Sequence, residues 1–117
     1  MLSSAFNIAR SGLAAEALRV EVAASNIANA SSPDYVPLEV SKTALGHPGG
    51  VATTVRPVVG PDLAATGSNV DIIRQTTTLI EAQAAYEANL AVIVTVDEMM
   101  ETLLDVVGHD HSHEHRD

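Results

Sequence analysis

Two stretches at opposite ends of a 117-residue chain repeat an apolar residue at every seventh position, and a Pro/Gly-rich middle separates them. The first seam is Phe6, Leu13, Val20 and Ile27, with Ala9, Ala17, Ala23 and Ala24 around it. The second is Ile72, Leu79, Tyr86, Ile93, Met100 and Val107; Leu90, Val96, Leu103 and Leu104 widen it to the three-or-four spacing of one helix face. A sustained seven-residue repeat drifts slowly around a straight helix, so it favours a left-handed supercoil against a partner helix. The pattern predicts a mainly α chain in which long N- and C-terminal helices form a coiled coil around a small β-containing or irregular middle. We place the first helix in residues 1–31, the extended middle in 32–68, the second helix in 69–107 and a His-rich tail in 108–117.

Bulk composition narrows this further. One Phe, two Tyr and no Trp supply little of the aromatic area that large globular cores bury. Ala and Val dominate instead, which suits close helix packing. At about 1.5 Å per residue the second helix reaches on the order of 50 Å and overhangs any compact body a chain of this size can build. A small helix pair folded on itself fits the pattern, and so do helices that complete their packing against other subunits.

Cysteine is absent, so disulfide and thiolate-metal chemistry are excluded. No run of about 18 apolar residues is present, and no membrane span is expected. The N-terminus is interrupted by Asn7, Arg10, Ser11, Glu16 and Arg19, unlike a secretory leader. Residues 1–70 hold five acids against four bases, whereas residues 71–117 hold ten acids against Arg74 and Arg116. That acidic second half argues against nucleic acid as a partner, since phosphate contacts need clustered Lys and Arg.

Along the chain, residues 2–29 read as helix with Ser3 and Ser4 as candidate caps, and Gly12 inside it points to a close neighbour or a bend. All five prolines and five of the seven glycines lie between residues 33 and 67. Within that region, the 35–43 and 51–59 stretches suit a hairpin turning at His47-Pro48-Gly49-Gly50. Pro37 keeps the first of these strands at an edge. Asn69 or Asp71 is the expected cap of the second helix.

Asn26 and Asn29 lie three apart in an otherwise Ala-rich helix. Asn disfavours helix interiors, so the pair points either to amide hydrogen bonds with backbone from elsewhere or to a fraying, capped helix end. Ser11-Gly12-Leu13, then Asn26-Ile27-Ala28-Asn29, then an extended segment from Tyr35 resemble the N-terminal signature of bacterial flagellar rod, hook and hook-associated proteins. Asn69-Val70-Asp71, Tyr86-Glu87-Ala88-Asn89, and Met99-Met100 with Thr102-Leu103 resemble the C-terminal signature of the same family, and are most similar to its proximal rod members. Together the signatures cover roughly residues 4–36 and 67–107.

The resemblance implies a structural subunit whose terminal helices form concentric coiled-coil layers of a hollow axial tube, with the middle as an outer domain. It implies packing through Phe6, Leu13, Val20, Asn26, Ile27, Asn29, Leu79, Tyr86, Asn89, Ile93 and Met100. The implied partners are other rod and axial subunits and copies of the chain itself, with no cofactor. The implied location is the periplasmic rod of the basal body, reached through the flagellar type III apparatus without a cleaved signal. The chain departs from the family where Pro33-Asp34 replaces a glycine before the aromatic at Tyr35. Its middle is short, and Asp97, Glu98 and Glu101 stand where the family's second helix tends to carry Lys.

The tail alternates His109, His111, His113 and His115 with acids, a donor set suited to zinc, nickel or copper. A soluble helical metal-binding protein acting through that tail is therefore a rival reading, and a coiled-coil adapter outside any flagellum is another. A solvated tail following a helix that stops at Gly108 also fits. Catalytic patterns are lacking. His47 sits in a turn, the glycines beside it form no phosphate-binding motif, and the second-helix carboxylates read as a solvated face.

Overall fold

With no proline before Pro33, the first heptad stretch forms a single helix, α1 (Leu2–Ala28). The computed structural model describes residues 2–58 and 70–113. Because α1 is already helical at Leu2, Ser3 and Ser4 lie inside it and are not its caps. Successive turns then close its end: Ala30 N donates to Ile27 O at 3.1 Å, Ser32 N to Asn29 O at 3.0 Å, and Tyr35 N to Ser32 O at 3.3 Å. Asp34, with φ of 61°, takes the left-handed conformation that Asp tolerates better than most side chains. The position where the resemblance leads one to expect glycine therefore has a glycine-like backbone.

The middle is an antiparallel hairpin of β1 (Leu38–Ala44) and β2 (Val51–Pro57), in register from Leu38↔Pro57 to Ala44↔Val51. Its turn is closed by Leu45 N to Gly50 O at 2.9 Å and Gly49 N to Gly46 O at 2.7 Å, with His47 exposed. Gly49 and Gly50 have φ of 104° and 118°, values that side-chain-bearing residues rarely adopt.

α2 (Ile72–His113) starts under an Asp71 cap, whose Oδ1 accepts from Arg74 N at 3.1 Å. Asn69, the other expected cap, lies outside the described residues. α2 also runs through Gly108, where the sequence suggested a stop. One glycine costs about 1 kcal/mol in a helix and, unlike proline, neither removes a backbone donor nor clashes with the preceding turn, so by itself it does not end the run. At 42 residues, α2 spans about 63 Å.

Gly12 meets Asn89, Arg19 meets Glu81 and Asn26 meets Gln75, so the two helices run antiparallel. Counting outward from the Gly12–Asn89 contact, the Leu2 end of α1 falls level with Met99. The rest of α2 has no α1 beside it and projects on the order of 20 Å. The radius of gyration is 21.6 Å, against about 13 Å for a compact chain of similar length.

Within the chain, the expected apolar seam is not the buried line. Phe6, Val20, Tyr86 and Met100 are exposed, while Leu13, Ile27, Leu79 and Ile93 are only half-buried. The buried residues of the helix pair are Ala9, Ala15, Glu16, Ala23 and Asn26 on α1, with Ala82 and Val96 on α2. On α2 the facing line falls three residues after the expected seam, as Gln75–Ala82–Asn89–Val96; on α1 the facing lines are Ala9–Glu16–Ala23, three residues after Phe6–Leu13–Val20, and Gly12–Arg19–Asn26, one residue before Leu13–Val20–Ile27. Small side chains let the helices approach closely, which leaves the larger apolar residues along the flank.

Candidate functional site

The seam between α1 and α2 is organised by one amide. Asn26 is 0% exposed, in a helix interior where Asn is otherwise unfavourable. Its Nδ2 donates to Leu38 O at 2.8 Å and to Gln75 Oε1 at 3.1 Å. Its Oδ1 accepts from Leu38 N at 3.0 Å and from the Tyr35 hydroxyl at 3.0 Å. An Asn amide offers two donors and two acceptor sites, so this one is saturated. By binding both backbone groups of Leu38, it acts as a neighbouring strand at the start of β1, while Gln75 ties in α2.

Asn29 behaves differently. Its Nδ2 donates to Ser25 O at 2.9 Å and its Oδ1 accepts from Ser32 Oγ at 3.3 Å, all local to the helix end. Of the two readings open for the pair, Asn26 takes the long-range one and Asn29 the capping one.

Gly12 and Asn89 form the second contact point. A Cβ built on Gly12 would lie 2.7 Å from Asn89 Oδ1 and 3.0 Å from its Cγ, well inside van der Waals distance. Asn89 is held by its own helix, donating to Ala85 O at 2.9 Å. Glycine here serves close approach between helices. Next to it, Ser11 Oγ accepts from Val51 N at 3.0 Å and donates to Ile8 O at 2.7 Å, which pins the first residue of β2 to α1.

Between these points lies a charged cluster that sequence reasoning missed. Glu16 Oε1 accepts from Lys42 Nζ at 2.7 Å and Oε2 from Arg19 at 2.8 Å; Arg19 reaches on to Glu81 at 3.4 Å. The Glu16 side chain is buried, and two partnered cations offset the cost of removing its carboxylate from water. The available signal was its position, seven residues from both Ala9 and Ala23. The hairpin is thus fastened along α1 at Asn26, Glu16 and Ser11. From Ser11 to Asn26 the helix rises about 23 Å, close to the length of a seven-residue strand.

Among the described residues nothing covers the opposite face. A groove of about 440 Å³ between Ala17, Val20, Leu79, Gln83 and Tyr86 opens there. It lies on the flank that carries the expected seam. Beyond Met99 that flank continues as Leu103, Leu104 and Val107, all exposed. A larger groove of about 500 Å³ at the hairpin base is lined by Arg19, Arg74, Glu39 and Glu81 among others. There Arg74 pairs with Glu39 at 3.7 Å and Arg19 with Glu81 at 3.4 Å, while Asp71 caps α2.

Residues 109–113 are helical, but side chains beyond Asp110 are not described, and His115 lies outside the described residues. Among the described residues no group of three or more His, Asp or Glu is placed to hold a metal ion, and no helix is long and apolar enough to cross a membrane.

Two family models match, one at each end of the fold. Residues 6–35 match the flagella basal body rod protein family. Residues 64–106 match the C-terminal region of the flagellar basal body rod FlgEFG proteins. The chain is 32% identical to the flagellar basal-body rod protein FlgC of Salmonella typhimurium over 85% of its own length and 92% of that protein's. The FlgC protein of Salmonella typhi gives the same values. A shorter stretch, 28% of this chain, is 61% identical to 13% of the rod protein FlgG of Agrobacterium fabrum. The matched ends include Asn26 on one side and Gln75 and Asn89 on the other.

Proposed function

Since this chain belongs to the flagellar basal-body rod protein family, we propose that it works as a structural subunit of the rod, through helix packing and without catalysis. One observation carries the reading. The two matched segments, far apart in sequence, close on each other along a seam whose central amide is saturated, yet large apolar residues remain exposed along both helices. An isolated helix pair gains nothing from leaving Tyr86, Leu103 and Leu104 in water. Each larger apolar side chain contributes about 1.5–3 kcal/mol when fully buried, so assembly is where that surface stabilises the structure.

In this reading Phe6, Leu13, Val20 and Ile27, with Leu79, Tyr86, Ile93 and Met100, face neighbouring subunits, while Asn26, Asn29 and Asn89 set the conformation that presents them. The partners are other rod subunits and further copies of this chain. The location is the basal body, and within it the periplasmic rod, reached by type III export without cleavage. Termini that are only partly helical before assembly would fit such a route, since the apolar strip is uncovered until neighbours arrive.

The test is complementation of a strain lacking this protein. Leu13→Asp or Ile93→Asp, each expressed at the normal level, should abolish motility and leave basal bodies without a complete rod by electron microscopy. Normal swimming with either variant would overturn the reading.

A further inference from the structure

Resting on the rod-subunit reading, we propose that the projecting end of α2 is covered by the α1 helix of a second copy of this chain, with Arg10 of that copy as the electrostatic key. The projecting segment continues the intramolecular seam past its last covered residue, Val96, and replaces small residues with large ones. Met99, Met100, Leu103, Leu104, Val106 and Val107 form one broad apolar stripe, with Leu104 71% and Leu103 54% exposed. Among the described residues nothing covers it.

Charge selects the occupant. One flank of the stripe carries Asp97, Glu101 and Asp105 at successive turns, with Glu98 nearby, and no Lys or Arg lies between residues 97 and 110. Two such segments side by side would repel along their length, which disfavours α2 against α2. α1 is the opposite case, with Arg10 and Arg19 balancing Glu16 and Glu21. Arg19 is engaged by Glu16 and Glu81, whereas Arg10 is exposed and has no hydrogen-bond or ion-pair partner among the described residues.

Position makes Arg10 more specific. It lies seven residues before Ala17, on the groove-lining flank, and between Phe6 and Leu13, whose apolar side chains match the stripe. Glu21 stands at the other end of that flank, so the acidic segment is directed to the Phe6–Leu13 end. The contact joins two different patches. It is therefore heterologous, and it can propagate from copy to copy without closing as a dimer.

The chain has no cysteine, so single thiols can report the contact. Full-length chains carrying Leu13→Cys and Leu103→Cys, with tags of different mass, would be mixed at high concentration and oxidised. Helix content by circular dichroism would verify that each is folded. Within one chain the two positions are over a dozen helical residues apart, on the order of 20 Å, so a mixed disulfide reports contact between copies.

The mixed product should exceed either homodimer. Arg10→Glu in the Leu13→Cys chain should lower its yield about threefold, and Glu101→Arg in its partner should restore it. No mixed product, a dominant Leu103→Cys homodimer, or an effect of Arg10→Glu that Glu101→Arg does not reverse would each overturn the proposal.

A strain carrying Leu103→Asp separates this failure from failure of the rod reading. If rods are lost while the mixed disulfide does not form, the projecting end meets a different subunit and the rod reading stands. If rods assemble normally, both fall.

Discussion

The covered and projecting parts of α2 are built on opposite rules. Level with α1, the positions facing the partner helix are Gln75, Ala82, Asn89 and Val96, three of them small or polar. Past Met99 the stripe is Leu103, Leu104, Val106 and Val107, all large and exposed. Small and polar contacts hold one register, because an amide or a glycine notch works in only one alignment. Large apolar side chains bury more area but accept more alignments. The chain thus spends its geometric specificity on its own fold and leaves its adhesive surface to assembly.

The sharpest way to break that comparison is Asn26→Ala. The substitution strands Leu38 N–H and C=O, the Tyr35 hydroxyl and Gln75, which surround a fully buried amide but are themselves only part-buried. A stranded group that stays out of reach of water costs about 1–3 kcal/mol. A total loss of about 3 kcal/mol or more is expected, enough to remove most of the helix signal of so small a fold in circular dichroism. Retention of the wild-type melting curve would show that the amide is not what joins the two helices.

Gly12→Ala is expected to cost less, about 1–2 kcal/mol. Alanine gains about 1 kcal/mol in helix propensity, so the steric penalty has to exceed that gain. It does so because the new methyl meets Asn89 Oδ1 at 2.7 Å while that side chain is tied to Ala85 O. Adding Asn89→Ala should recover the loss, and the double variant should melt above the single one. Failure to recover would mean that the notch serves something other than Asn89.

Glu16→Gln comes next. It keeps the volume and removes the charge between Lys42 and Arg19, at an expected cost of about 1 kcal/mol, since the Lys42 side chain is 40% exposed and can turn to water. Its more specific readout is hydrogen exchange, which should accelerate in the middle of the hairpin and leave the α1 amides near their original rates. Uniform acceleration would place Glu16 in the helix pair and not in the hairpin fastening.

How much of this could be read from the chain alone depends on which property placed each residue. The two helices, the hairpin with its Gly-rich turn, and the Asp71 cap follow from local chemistry, although α2 runs to His113, past the stop expected at Gly108. Gly12 signalled a close neighbour, although its identity required α2 to be in place. The buried line lies beside the expected seam because apolar periodicity marks the surface most in need of burial, and in one isolated chain that surface is not the buried one. Glu16 was unreadable for a related reason. A carboxylate among alanines looks solvated until Lys42 arrives from a strand 26 residues away. The left-handed Asp34 shows the reverse case, where a departure from family pattern leaves the backbone unchanged because Asp can adopt the conformation glycine would.

The smallest expected effect tests the other side of the comparison. Leu104→Ser removes a large apolar side chain, which in a packed core costs several kcal/mol. Leu104 is level with nothing on α1, and the leucine side chain is already largely in water, so the transfer and cavity costs do not arise. A shift of within about 0.5 kcal/mol in the melting equilibrium of the isolated chain follows, as for ordinary surface positions. The same substitution should impair rod assembly in cells, because there the position is buried. A melting loss as large as that of Gly12→Ala would mean that the projecting end already packs within its own chain, and the division between a self-specifying seam and an adhesive end would have to be abandoned.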